Sequence, residues 1–163
     1  MIHVVDADLS RPEHAAAVIQ LMDEYARDPM GGGQPLPDFV KDNLVDALSK
    51  RPNVHQFLAL DDDVPAGLIN CFEGFSTFAC RPLLNIHDVI VSADYRGKGV
   101  GTRLLQAAET RARELGCCKL TLEVLEGNTV AQAAYKSFGF SGYALTPTTG
   151  KALFWEKKLP TPP

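Results

Sequence analysis

Six residues, Arg96-Gly97-Lys98-Gly99-Val100-Gly101, constrain this chain more than any other stretch. Glycines at alternate positions interrupt any regular element and let the backbone turn sharply. Before them, Leu83 to Ser92 is apolar around His87 and Asp88 and reads as a strand. After them, Val100, Leu104, Ala108, Ala112 and Leu115 recur at helical spacing over Val100 to Leu115, and Gly116 stops that helix. A strand therefore runs through a glycine turn straight into a helix. The first turn of a helix carries unpaired N–H groups and the positive end of the dipole. Beside glycines, those groups make a cradle for a phosphate or pyrophosphate.

The rest of the chain supplies a mixed α/β frame. Ile2 to Ala7 reads as a short strand. Ser10-Arg11-Pro12-Glu13 reads as a helix start with a capping box, Ser10 the cap and Pro12 in the first turn. Asp28-Pro29 ends that helix. Pro29 to Pro37 holds three glycines and three prolines in nine residues, a connector or a flap beside a site. A second helix spans Asp38 to Ser49, and the strands Val54 to Leu60 and Pro65 to Phe75 form a hairpin around Asp61-Asp62-Asp63. Then come a strand at Lys119 to Leu125, a helix at Asn128 to Phe138, and two closing strands at Ser141 to Thr146 and Leu153 to Lys158. The triple Asp lacks the spaced ligands and distal Glu of a calcium loop and reads as a solvated turn.

Composition narrows the partners. With 163 residues the chain is expected to form one domain, 1–159, followed by a frayed tail, 160–163. Sixteen basic against twenty acidic residues give a net charge of −4, which disfavours nucleic acid and anionic membranes as partners. No apolar run approaches the roughly 20 residues of a membrane helix, and the first eight residues lack the basic start and apolar middle of a signal peptide. Cys71, Cys80, Cys117 and Cys118 include no CxxC pair. They are expected to be reduced, mostly buried thiols in a cytoplasmic protein, with no metal.

The glycine turn admits three phosphate-loop readings. A Walker loop needs Ser or Thr after Gly-Lys, and here Gly99 follows Lys98. A dinucleotide fingerprint needs G-x-G-x-x-G, and here the third glycine comes one position early. Arg96-x-x-Gly99-x-Gly101 instead resembles the Arg/Gln-x-x-Gly-x-Gly/Ala loop of acetyl-coenzyme A enzymes. A second motif follows in the expected order: Asn128, then Ala131, Ala134, Tyr135, Phe138, Gly139 and Phe140. Here the chain resembles the GNAT superfamily of N-acetyltransferases, most closely over Leu83 to Tyr143. Phe75-Ser76-Thr77-Phe78-Ala79-Cys80-Arg81-Pro82 followed by Ile86-His87-Asp88-Val89-Ile90-Val91 resembles its diamine and thialysine branch. That branch carries an acidic pair where this chain has His87 and Asp88.

The resemblance implies a mixed, mostly antiparallel seven-stranded sheet with helices on both faces and two splayed central parallel strands. It implies that the backbone of Val89, Ile90 and Val91 pairs with the pantetheine arm of acetyl-CoA. Arg96, Gly97, Lys98, Gly99, Val100, Gly101 and Thr102 would hold the pyrophosphate. Asn128 would hydrogen-bond the cofactor, Ala131 would also bind it, and Tyr135 would sit near the sulfur as general acid. The acceptor amine must lose a proton, to His87, whose reference pKa is about 6.5, to Asp88, or to a water chain. Strict strand alternation places His87 and Asp88 on opposite faces, so both reach one site only across a bulge. Asp88, Glu73 and Asp23 could attract a cationic acceptor, and Arg81 fits either an acceptor carboxylate or a structural ion pair. The expected activity is acetyl transfer from acetyl-CoA to a primary amine of a small molecule, a polyamine or a lysine-like amino acid first. A homodimer is implied, because final strands in this superfamily often pair across subunits. Protein N-termini or lysines as acceptors, or a non-catalytic acyl-CoA sensor, are the rival readings.

Overall fold

In the computed structural model, residues 1–161 are described. The chain divides into two compact units, Met1–Asn128 and the stretch from Thr129 onward. The first unit holds a five-stranded sheet in the order β1-β2-β3-β4-β5. Its strands are β1 (Ile2–Asp6), β2 (Val54–Asp61), β3 (Val64–Ser76), β4 (Arg81–Val91) and β5 (Leu120–Leu122). The first four run antiparallel, and β4 and β5 run parallel.

Two helices precede β2: α1 (Pro12–Arg27) and α2 (Asp38–Ser49). Ala17, Val18 and Leu21 of α1 bury against Leu58, Leu68 and Ile90, which share one face of the sheet. A third helix, α3 (Val100–Glu114), covers the other face with Val100, Leu104, Leu105, Ala108 and Ala112 buried. Gly67, the neighbour of Leu68, shows the alternation directly. A Cβ added there would meet Val100 and Leu104 of α3. Helices therefore lie on both faces, as expected.

The second unit contains α4 (Thr129–Phe138), which Gly139 ends with a φ of +109°. The two strands expected at Ser141 to Thr146 and Leu153 to Lys158 do not form; a single bridge joins Ala144 to Lys151. The intervening segment closes on itself instead. The Thr149 N–H donates to Thr146 Oγ1, the Thr146 N–H donates to Thr149 Oγ1, and the Gly150 N–H donates to the Thr146 carbonyl. The sheet therefore has five strands rather than seven. Of the expected tail, Pro160 and Thr161 carry no regular structure, and Pro162 and Pro163 lie outside the described residues.

Two local expectations need correction. Ser10 does not cap α1, because Asp8 captures its hydroxyl at 2.6 Å and its N–H at 3.0 Å, leaving Arg11 at the cap position. Nor are the cysteines mostly buried: Cys71 is, while Cys80 and Cys118 are exposed, the first in a hairpin turn and the second just beyond the end of α3.

Candidate active site

The strand β4 organises the site. It pairs with β5 at Leu84, Asn85 and Ile86 only. From His87 to Val91 that edge has no strand partner among the described residues. The Ser92 N–H bonds the Ala66 carbonyl at 3.0 Å, which fixes the phase of the β3–β4 ladder. In an antiparallel pair, bonded and non-bonded positions alternate. Leu68/Ile90 and Asn70/Asp88 therefore exchange backbone bonds, and Ile69/Val89 and Gly67/Val91 do not. The N–H and C=O groups of Val89 and Val91 face the open edge. Those of Ile90 turn to Leu68, consistent with the Ile90 carbonyl lying 2.8 Å from the point where a Gly67 Cβ would stand. Arg96 Nε approaches the Val91 carbonyl at 3.5 Å from that open side.

A register shift between Asn70 and Cys71 leaves His87 as the extra residue of β4. This is the bulge that the two polar side chains require. His87 lies edge-on to Phe72 at 5.5 Å, and His87 Nδ1 is 3.1 Å from Asp88 Oδ2. The His87 side chain is 65% exposed and that of Asp88 only 14%. A carboxylate accepts and cannot donate, so the proton of this bond belongs to Nδ1. A neutral His87 then carries its lone pair on Nε2.

Behind Asp88 lies a buried polar row that sequence reasoning did not single out. Asn70 Nδ2 donates to Asp88 Oδ2 at 3.0 Å, and Gln56 Nε2 donates to Asn70 Oδ1 at 2.7 Å. Met22 Sδ of α1 also touches Asn70 Nδ2, at 3.3 Å. An Asn inside the run Ala66 to Phe72 is the available signal, since a buried amide must find partners. Two neighbours register the Asp88 charge: burial raises the Cys71 thiol to about 12, with Asp88 adding to it. Burial likewise raises the Tyr25 phenol, with Asp88 and then Asp28 adding.

The glycine turn follows β4 through one 3₁₀ turn at Ala93–Tyr95. Gly97 and Gly99 sit at φ +75° and +77°, in the left-handed region, and a Cβ on either would meet nothing within 4 Å. Among the described residues, the N–H groups of Gly97, Gly99, Val100, Gly101 and Thr102 have no protein acceptor. Five donors without a protein acceptor thus lie within six residues at the start of α3. Lys98 Nζ lies 5.1 Å from the centre of the Tyr95 ring. Arg96 reaches back to Asp28 Oδ2 at 3.1 Å, and Glu24 Oε1 accepts the Ala93 N–H at 2.9 Å, so α1 and its following connector brace the turn.

Asp23 is engaged by Arg27 Nε, the Leu36 N–H and Lys41 Nζ, which hold its carboxyl at about 2. Glu73 stands 3.5 Å from His55, and Arg81 makes no ion pair among the described residues. Asn128 ends the first unit with its N–H on the Leu125 carbonyl. Ala131 and Tyr135 lie on α4 in the second unit, where Tyr135 stacks edge-on to Phe140 at 6.0 Å.

Comparison with known proteins adds to this geometry. The acetyltransferase (GNAT) family profile matches residues 18–140. An L-ornithine N5-acetyltransferase of Arabidopsis thaliana is 30% identical over 152 residues, covering 88% of this chain and 67% of the relative. A thialysine N-epsilon-acetyltransferase of Bos taurus is 34% identical over 65 residues, covering 40% of this chain and 38% of the relative. The match thus spans about two thirds of the first relative and under two fifths of the second. In fold, the chain resembles an aminoglycoside N-acetyltransferase solved in complex with CoA, with a TM-score of 0.74 at 18% identity, covering 98% and 96% of the two chains.

Proposed function

The chain belongs to the acetyltransferase (GNAT) family, and from that premise we propose that it moves the acetyl group of acetyl-CoA to the primary amine of a small molecule. A polyamine or a lysine-like amino acid is the first acceptor class. The observation that carries the reading is the continuity of β4 into the glycine turn. A strand edge without a strand partner leads directly to five N–H groups without a protein acceptor among the described residues. That edge suits an extended pantetheine arm on the groups of Val89 and Val91, and the turn suits its pyrophosphate. The CoA-bound structural relative and the ornithine and thialysine relatives support donor and acceptor class respectively.

In this reading the neutral amine nitrogen attacks the thioester carbon, the C–S bond breaks, and the thiolate takes a proton. An amine of pKa ~10.4 is neutral at pH 7 at a cost of roughly 4–5 kcal/mol. His87 Nε2 takes the ammonium proton before attack, and Asp88 on Nδ1 stabilises the imidazolium that results; the second proton, shed by the nitrogen as the tetrahedral intermediate collapses, balances the one delivered to the sulfur. Tyr135 supplies a proton to the leaving sulfur, with Asn128 and Ala131 lining the cofactor. One acetyltransferase domain over 1–159, a cytoplasmic location and a homodimer complete the proposal. Among the described residues, no helix is long and apolar enough to cross a membrane.

The test is thiol release from acetyl-CoA across a panel of polyamines, amino acids and peptides. Turnover with small diamines or lysine-like amino acids is expected. Tight CoA binding without turnover would point to a sensor, and turnover with peptides alone to a protein-directed enzyme. Tyr135→Phe should lower turnover at least tenfold, an effect on the order of 1.4 kcal/mol, with CoA affinity retained. His87→Gln should flatten the acid limb of the pH–rate profile. An unchanged rate removes Tyr135, and an unchanged limb removes His87.

A further inference from the structure

We infer that Asn70, locked by Gln56, is the positioning residue that holds Asp88 on His87 and thereby fixes which nitrogen of His87 is free to take a proton. The inference rests on the proposed role of His87 and goes beyond it, because neither amide can touch the reacting atoms. Asn70 is 3% exposed and Gln56 7%. Both come from strands that the family motifs do not include, and they meet only through the register Gln56↔Asn70↔Asp88 across β2, β3 and β4.

The polarity of the row follows from chemistry. Asp88 as a carboxylate offers only acceptors, so Asn70 must present its Nδ2. That turns Asn70 Oδ1 away from Asp88, toward Gln56, which must answer with its Nε2. The Gln56 bond at 2.7 Å therefore prevents the Asn70 amide from rotating. Oδ2 of Asp88 accepts from Asn70 Nδ2 at 3.0 Å and from His87 Nδ1 at 3.1 Å. One buried oxygen thus links a fixed amide to a mostly exposed imidazole. Without the amide, an Asp88 side chain only 14% exposed would turn toward water, and His87 would lose the acceptor that keeps its proton on Nδ1. The remaining titratable neighbours are Tyr25 from α1, which senses Asp88 and Asp28, and Cys71 from β3. At neutral pH both are uncharged, so neither replaces the amide.

The experiment reads the tautomer of the neutral His87 imidazole by long-range nitrogen-15 NMR in the full chain, with the His87→Gln variant assigning its signal among the four histidines. Wild type should hold the proton on Nδ1, and Asp88→Asn and Asn70→Leu should each shift the population toward the Nε2–H form. In the Asn70→Leu background, Asp88→Asn should then add little. Gln56→Leu, which frees the Asn70 amide without removing it, should give a smaller shift of the same sign and serves if Asn70→Leu does not fold. In thiol-release assays Asn70→Leu should lower kcat about tenfold, with the KM for acetyl-CoA retained. An unchanged His87 tautomer population in Asn70→Leu, or a full-sized Asp88→Asn effect in that background, overturns the positioning role. Loss of thermal stability with an unmoved tautomer population assigns Asn70 to packing alone and also overturns it. If instead His87→Gln leaves the acid limb of turnover intact, the base role itself fails, and the NMR result still decides whether Asn70 governs Asp88.

Discussion

Gly67 is the position where one methyl group should disturb both elements that flank the glycine turn. A Cβ there would stand 2.8 Å from the Ile90 carbonyl oxygen and 3.0 Å from both Leu104 Cδ1 and Val100 Cγ1. Ordinary contact begins near ~3.5 Å, so β3 and β4 must part by about 0.7 Å, or α3 must lift. Ile90 lies in β4, and Val100 is the first residue of α3. Either movement therefore displaces the strand that leads into the glycine turn or the helix that leaves it. Overpacking of this kind costs about 1–3 kcal/mol, and replacing Gly by Ala returns about 0.5–1 kcal/mol through the unfolded chain. Taking the middle of each range, a net loss of roughly 1 kcal/mol should lower Tm by about 2–4 °C for a chain of this size. Gly67→Ala should be measured by thermal unfolding and by calorimetric titration with CoA. Gly74→Ala is the control, because its Cβ would meet only the side chain of Leu83, at 3.3 Å, far along β3 from the turn. Both Tm and CoA affinity should fall in Gly67→Ala, while CoA affinity holds in Gly74→Ala. An unchanged Tm and CoA affinity in Gly67→Ala would refute the reasoning that this contact sets the turn.

Three further outcomes are expected. Gly99→Ala places an L-residue at φ +77°, a backbone cost of roughly 1–2 kcal/mol, and should weaken CoA binding about tenfold or more by calorimetry. Arg27 first, then the Leu36 N–H and Lys41, hold the Asp23 carboxyl at about 2 against an ordinary 3.8. A folded value below the unfolded one stabilises the protein above the unfolded value and loses that contribution as pH falls. Denaturant unfolding should therefore show wild type more stable than Asp23→Asn at pH 6, with the gap closing between pH 4 and 2; a constant gap contradicts the assignment. Burial, with Asp88 adding, pushes the Cys71 thiol up to about 12, so alkylation at pH 8 read by mass spectrometry should modify exposed Cys80 and Cys118 and spare Cys71 until denaturant is added.

Features set by local chemistry were legible in the sequence. Asp38 and Ser49 bound α2 as expected, and Gly116, at φ +72°, lies just beyond the end of α3. The glycine turn was legible for the same reason: the positive φ at Gly97 and Gly99 is a demand that only certain residues meet without strain. Competition between neighbours was harder to read. Ser10 has the chemistry of a cap, but the Asp8 carboxylate two residues earlier takes it. Features set by pairing between distant strands were the least legible. The bulge at His87 depends on how β3 meets β4, and the row Gln56, Asn70, Asp88 joins positions that only a register across three strands brings together. The same holds for the closing segments. Leu153, Phe154 and Trp155 look like strand residues, yet a strand exists only with a partner, and the one bridge of the closing segments joins Ala144 to Lys151 and leaves these three out.

The central claim is that main-chain amides at the start of α3 hold the diphosphate of CoA. Backbone NMR of the nitrogen-15-labelled protein titrated with CoA tests it most directly. The account predicts saturable shifts at the amides of Gly97, Gly99, Val100, Gly101 and Thr102, with smaller ones at Val89 and Val91. Saturable shifts that bypass these seven amides, or a spectrum that CoA leaves unmoved, would contradict it.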